Sequence, residues 1–198
     1  MFYVVGLGNP GERYTHTRHN IGRLVLEDWV RGGRFSAWEA HKPAEALRAR
    51  GMVQAEPVEL ILPETFMNKS GQSVKFLAEK ERLAPEQLVV VYDDVDLPLG
   101  QLKVSVGRGD GGHNGVKSII SALSGNKNFI RIRLGVAHRS FWTGKTVRPR
   151  GGGALERHVL GKFSRKELEQ VNEQGAQVYE ILSYLIEKGP EATMNAYN

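Results

Sequence analysis

Short apolar runs with strand character alternate along this chain with stretches of helical period. Residues 2–7 form a continuous apolar run that stops at the turn Gly8-Asn9-Pro10-Gly11, which predicts a buried strand. From about Asn20 the period changes. Ile21, Leu24, Val25 and Trp29 fall on one helical face, and Gly32-Gly33 ends it. Residues 44–62 read as two strands, with Val58, Leu60 and Leu62 alternating ahead of Pro63. A helix is predicted over residues 70–82. The β-branched run 88–92 follows as a central strand ending at Asp93-Asp94. Leu102, Val104 and Val106 alternate after a turn at Pro98 and Gly100. Residues 107–112 form a glycine-rich loop, and residues 115–123 a helix. Ile130, Ile132, Leu134 and Val136 then share one strand face. Residues 139–153 are basic and glycine-rich and read as a loop. Ser164 caps a long final helix that ends near Gly189-Pro190.

Alternating strands and helices predict an α/β fold. The expected architecture is one domain over residues 1–198, a three-layer sandwich with a twisted mixed β-sheet flanked by helices. The hairpin-like pair before Pro63 supplies the antiparallel part. Open α/β sheets bind ligands beyond the carboxyl ends of their strands. Three polar clusters fall there: Asn9, Asp93, and the stretch Gly111-Gly112-His113-Asn114.

The 198 residues include no cysteine, so disulfides, thiolate metal sites and cysteine nucleophiles are excluded. The N-terminus has no charged region ahead of its apolar run, and a glycine turn follows at once. It reads as neither a signal peptide nor a membrane span, and a cytoplasmic protein is expected. The net charge of +5, with arginine outnumbering lysine, suits a polyanionic partner as well as simple solubility.

Residues 6–11 match G-x-G-x-x-G, a weak signal alone. Pro10 removes one of the donors a pyrophosphate would need, the amphipathic pattern starts only near Asn20, and no ribose-binding acid follows about twenty residues on. A dinucleotide site is therefore not expected. Hydrolytic candidates are few. His19 stands just before a helix, Asp93 ends an apolar strand with Asp96 close by, and His113 opens a later helix. Each also has a plain reading as a capping or turn residue. Asn9, Asn68 and Asn114 are turn residues by type, yet beside one acid and one base they suit an ester or peptide group. The six histidines form no H-E-x-x-H pattern, and no G-x-S-x-G elbow is present. What remains is water activated by a histidine base with a carboxylate behind it, without metal or cofactor. Arg131 and Arg133 alternate with Ile130, Ile132 and Leu134, so they are expected on the non-core face of one strand. Lys103 and Ser105 share a face of another. Arg108, Lys117, Arg139, Lys145, Arg148 and Arg150 add charge around the glycine loops, which favours phosphate binding over a merely solvated face.

Gly8-Asn9-Pro10-Gly11, Thr17-Arg18-His19-Asn20, Thr65-Phe66-Met67-Asn68 and Gly111-Gly112-His113-Asn114-Gly115 occur in order over essentially the whole chain. With Asp93-Asp94-Val95-Asp96-Leu97-Pro98, this pattern strongly resembles bacterial peptidyl-tRNA hydrolases. The resemblance implies a monomeric, metal-free α/β enzyme that hydrolyses the ester between a peptide and the tRNA 3′ end. It implies His19 as catalytic base, Asp93 as the acid that orients it, and Asn114 holding the water. Asn9 and Asn68 would contact substrate, with Tyr14, Met67, Gly111 and His113 lining the same crevice. Arg133 would grip a tRNA phosphate near the acceptor region. Ser105 stands where many members carry a second clamp lysine, so Lys103 or Arg108 is expected to substitute. Tyr92 stands where a histidine is common, and the basic stretch 141–153 is longer than the pattern. The rivals are a non-catalytic RNA-binding protein, disfavoured by retention of His19, Asp93 and the three asparagines, and a peptidase, disfavoured by the basic charge.

Overall fold

The structure is a computed structural model that describes residues 1–139, 146–148 and 151–198. The strands are β1 (Phe2–Gly6), β2 (Glu39–His41), β3 (Ala46–Val53), β4 (Glu56–Pro63), β5 (Leu88–Pro98), β6 (Leu102–Val106), β7 (Ile130–Arg139) and β8 (Thr146–Val147). They form one mixed sheet in the order β2-β3-β4-β1-β5-β7-β6, with β8 added to β7. β1 runs parallel to β4 and β5, and β5 parallel to β7. β3 pairs antiparallel with β2 and β4, and β6 antiparallel with β7.

Side-chain alternation on the central strands builds two cores. Val4, Val89 and Val91 face a layer made by α1 (Ile21–Arg31) and α5 (Arg165–Tyr197). Val5, Val90 and Tyr92 face α2 (Ser70–Lys80) and α3 (Asn114–Ala122). This is the expected sandwich with a twisted mixed sheet. Helix α1 buries Ile21, Val25, Leu26 and Trp29, each contributing about 1.5–3 kcal/mol on removal from water. Among the described residues no helix is long and apolar enough to cross a membrane.

Four elements differ from the sequence expectation. The central strand does not end at Tyr92 but carries on through Asp93 to Pro98, pairing Asp93 with Leu134 and Asp94 with Gly135 of β7. The acids therefore sit on a strand rather than in a turn. The edge strand β2 is too short and polar to show a period. Part of the expected 139–153 loop is regular: β7 runs to Arg139, β8 covers Thr146–Val147, and α4 (Gly152–Val159) begins at its end. Residues 140–145, 149 and 150, with Lys145 and Arg150, lie outside the described residues. Finally, the last helix breaks at Gly189 (φ 81°) and resumes from Pro190 to Tyr197. Proline needs no N–H donor in a first helical turn, and Thr193 Oγ1 donates to the Gly189 carbonyl at 2.7 Å.

Helix α1 lies close to the sheet because Gly22 faces it. A Cβ at Gly22 would stand 2.1 Å from the Val91 carbonyl oxygen, and one at Gly6 would stand 2.6 Å from the Gly22 carbonyl. Both obstacles are backbone, so no rotamer change relieves them. Gly22→Ala should therefore destabilise the fold by about 1–3 kcal/mol, the usual cost of overpacking. Chemical denaturation measures this, and a midpoint equal to the parent's would show that α1 moves away freely.

Candidate active site

A crevice of about 1220 Å³ opens beyond the carboxyl end of β1 and along the second half of β5. At its floor the Asp93 side chain is 2% exposed. Its Oδ1 accepts from His19 Nδ1 at 2.7 Å and from His113 Nε2 at 2.8 Å. The ring tautomers follow from the other contacts. His113 Nδ1 accepts the backbone N–H groups of Gly115 and Val116 at the start of α3, so its proton is on Nε2. The carboxylate likewise draws the His19 proton to Nδ1, leaving Nε2 as the free acceptor. The capping reading of His113 thus holds, and the same ring also braces Asp93. Tyr92 packs edge-on against the His113 ring with centroids 4.8 Å apart.

Burial pushes the Asp93 carboxyl up, but the two imidazoles and their hydrogen bonds hold it below the ordinary carboxylate range. Burial lowers the pKa of His19, yet the Asp93 charge and hydrogen bond outweigh it, so His19 titrates above its ordinary 6.5.

Three asparagines were expected near this acid and base, and the crevice contains all three. Asn9 is buried, and its Oδ1 accepts the Met67 N–H at 2.8 Å. That bond fixes the amide, so its NH₂ is spare for another partner. Asn68 and Asn114 are exposed in the crevice, and Gly111 lies in the exposed turn before His113. Tyr14 meets Phe66 edge-on, with centroids 6.5 Å apart. Phe66 is 52% exposed; nothing local in Thr65-Phe66-Met67-Asn68 distinguishes its place in the wall from that of an ordinary core phenylalanine. The sequence marks Asn20 as a helix start. Its amide instead takes both backbone groups of Asn9, each at 2.9 Å. The α4 side of the crevice, with Leu155, Val159 and Leu160, had no sequence signal strong enough to predict a helix.

The basic residues divide. Arg133 and Lys103 lie directly opposite one another on β7 and β6. Arg133 Nε donates to Asp94 Oδ2 at 2.6 Å, while Lys103 and Arg108 are exposed at the crevice. Arg131 corrects the expectation that it shares an open face with Arg133. It is 1% exposed and is stacked over Phe129, and its guanidinium donates to the carbonyls of Arg108, Gly109 and Lys127. The strand period was right, but the glycine-rich loop folds over that part of the strand and needs a donor for its carbonyls. Ser105, opposite Arg131, is buried, and among the described residues its Oγ has no hydrogen-bond partner. Arg148 pairs with Asp96 at 2.9 Å. The carboxylate bonded to His19 is that of Asp93, not Asp96.

His19, Asp93 and His113 also have a composition that suits a metal, with their donor atoms within 4.8 Å. The protons argue otherwise. His113 Nδ1 is taken by α3, and both ring N–H groups already point at Asp93 Oδ1. A cation there would displace both bonds.

Residues 3–198 match the family described as peptidyl-tRNA hydrolase. The chain belongs to this family. It is 36% identical over 198 residues to the peptidyl-tRNA hydrolase of Syntrophotalea carbinolica, covering 100% of this chain and 97% of that protein. It is 37% identical to that of Brucella ovis, covering 98% and 74%. The crystal structure of peptidyl-tRNA hydrolase from Acinetobacter baumannii superposes with a TM-score of 0.87 at 30% identity, covering 100% of this chain and 94% of that one. The activity of the chain is hydrolysis of the ester bond of peptidyl-tRNA, and peptidyl-tRNA is its substrate.

The electrostatics of the His19–Asp93 pair give a direct test. In an NMR titration His19 should lose its proton with a midpoint above 6.5, and Asp93→Asn should bring that midpoint down. An unchanged midpoint would show that the carboxylate does not set the basicity of His19.

Proposed function

We propose that His19 is the general base of this hydrolase and that the crevice takes the 3′ end of peptidyl-tRNA with the peptide ester against it. The observation that carries this reading is the His19–Asp93–His113 arrangement, which leaves His19 Nε2 unprotonated and open to a water. Nε2 takes a proton as the water oxygen attacks the ester carbonyl, and Asp93 stabilises the imidazolium that forms. The tetrahedral intermediate then expels the tRNA ribose oxygen, which receives the proton held on Nε2. The products are a free tRNA hydroxyl and a peptide carboxylic acid, which releases its remaining proton to solvent as the carboxylate. Asn114 holds the water at the opposite wall. Asn9 offers its spare NH₂ to the substrate, as does Asn68. Tyr14, Met67, Gly111 and His113 complete the wall.

General-base help contributes about 10²–10⁴-fold, so fixed positioning must supply much of the rest. His19→Ala should lower kcat by about that range while tRNA binding survives, and Asp93→Asn should lower it less. Because His19 must be neutral to act, kcat/KM should rise with pH through its raised pKa. The acid limb should move to lower pH in Asp93→Asn. EDTA should leave the rate unchanged. A parent-like rate in His19→Ala, or loss in EDTA that a divalent ion restores, would sink the mechanism.

For the tRNA body we propose Lys103 and Arg133 as a cross-strand phosphate clamp, with Arg108 beside them. Lys103 takes the part of the lysine missing at Ser105. Facing cross-strand partners converge on one point, and phosphate contacts give affinity without reading sequence. Lys103→Ala and Arg133→Ala should each raise KM for full peptidyl-tRNA more than they lower kcat. Each should also reduce the slope of log affinity against log salt by about 1. A minimal substrate with only the 3′ nucleotide and peptide should be hydrolysed as by the parent. Equal losses on both substrates would place these residues in the support of the crevice instead. The crevice is assembled within one chain, which supports a monomer as the acting form, and a single domain over residues 1–198 is part of this reading. The place of action is the cytoplasm, where peptidyl-tRNA is made.

A further inference from the structure

Arg18, His19 and Asn20 form a single 3-10 turn, and their side chains leave it toward three different parts of the fold. His19 goes to Asp93 of β5, and Asn20 to the backbone of Asn9 after β1. Arg18 goes to the junction between α4 and α5. Its Nη2 donates to Glu167 Oε1 at 2.6 Å, and its Nη1 to the Lys162 carbonyl at 3.1 Å. Its guanidinium lies over the Phe163 ring, 5.2 Å from the centroid. The Arg18 side chain is 8% exposed and that of Glu167 19%, so the pair is largely screened from water. Glu167 is itself held, since its Oε2 accepts the Ser164 N–H at 2.7 Å in the capping box of α5. The backbones join as well: Arg18 N–H donates to the Gly161 carbonyl, Phe163 N–H donates to the His16 carbonyl, and Thr17 bridges Lys162.

We propose that Arg18 and Glu167 are positioning residues for the base: the ion pair fixes the turn that carries His19 to α5 and to the α4 wall of the crevice. This inference rests on His19 being the base. A 3-10 turn has few hydrogen bonds of its own, so the ring position depends on what holds the turn at both ends. Asp93 can orient the ring but cannot stop the backbone of the turn from lifting. Asn20 holds one end and Arg18 the other. Burial makes the pair depend on both members, because a lone charge left in that place is costly. Gly161 belongs to the same device. A Cβ there would stand 3.1 Å from Arg18 Nη1 and 3.1 Å from the His158 carbonyl, so any side chain would press on the guanidinium. The tether also gives α4 a mechanical path to the chemistry, since Leu155, Val159 and Leu160 of that wall line the crevice and precede Gly161 directly.

The test is steady-state hydrolysis of peptidyl-tRNA by Arg18→Met, Arg18→Lys, Glu167→Gln and the Arg18→Met/Glu167→Gln double variant, with Ser164→Ala as the control. Small misplacements of a catalytic group cost about 10²-fold. Arg18→Met should lower kcat by about 10- to 100-fold with little change in KM. Glu167→Gln should give a smaller loss of the same kind, and Arg18→Lys should restore part of the rate. The double variant should be no slower than Arg18→Met, because both remove one tether. Ser164→Ala removes the cap of the same helix but leaves Glu167 on Arg18, so it should lower the melting temperature and keep kcat. If Arg18→Met does not fold, the kcat of Glu167→Gln decides. Parent kcat in the folded Arg18 and Glu167 variants, additive losses in the double variant, or losses in KM alone would overturn the proposal. Should His19→Ala itself keep the parent rate, the mechanism it rests on fails instead, and the two failures are told apart by that variant.

Discussion

The site depends on one carboxylate taken out of water. Asp93 sits midway along the central strand, buried where an isolated charge would cost several kcal/mol. Two imidazole N–H groups on the same oxygen offset that cost. This requirement reaches back into the fold. One imidazole must come from the turn before α1 and the other from the start of α3, on opposite layers of the sandwich, so both layers have to close on the sheet before the charge is satisfied. The same bonds fix the tautomer of each ring. His113 is locked from both sides, by Asp93 and by the first N–H groups of α3. Among the described residues His19 is bonded on one side only, and chemistry is left to its other nitrogen. Folding stability and basicity thus draw on the same interaction.

The asparagine network extends this arrangement in one direction. Asn20, next to the base, holds the backbone of Asn9, and Asn9 in turn holds the backbone of Met67 next to Asn68. The two ends of the β1–α1 connection and the β4–α2 connection are thereby fixed relative to one another by amide groups, which carry no charge and do not compete with Asp93 for the imidazoles. Arg131 performs a similar service on the far side, where its guanidinium gathers three loop carbonyls.

Much of this was legible in the residues. The strand and helix periods of β1, α1, β4, α2, β6, α3 and β7 are carried by local alternation, and local alternation is what a sequence displays. The candidates His19, Asp93, Asn9, Asn68, Asn114 and His113 stand beside those periods and converge as strand-end geometry requires. What stayed hidden depends on contacts distant in sequence. Nothing near Arg131 says that a loop will cover it, so the period that placed it opposite the core was correct while its exposure was not. Nothing near Arg18 points to Glu167, which lies 149 residues away. The extension of β5 past Tyr92 was missed because Asp93, Asp94 and Asp96 read as turn residues. They stay in a strand because neighbouring β7 continues beside them and because Arg133 and Arg148 take up two of the charges.

The contact between Gly22 and the Val91 carbonyl is a matter of packing, yet it sets the height of α1 above the sheet, and α1 begins where the turn of His19 ends. Val91 lies two residues before Asp93 on the same strand. The separation between the imidazole and its carboxylate is therefore gauged by a missing methyl group one turn of chain away. In such a molecule a residue with no side chain acts as a spacer, and the tolerance of the reaction centre is inherited from the thickness of a helix–sheet interface.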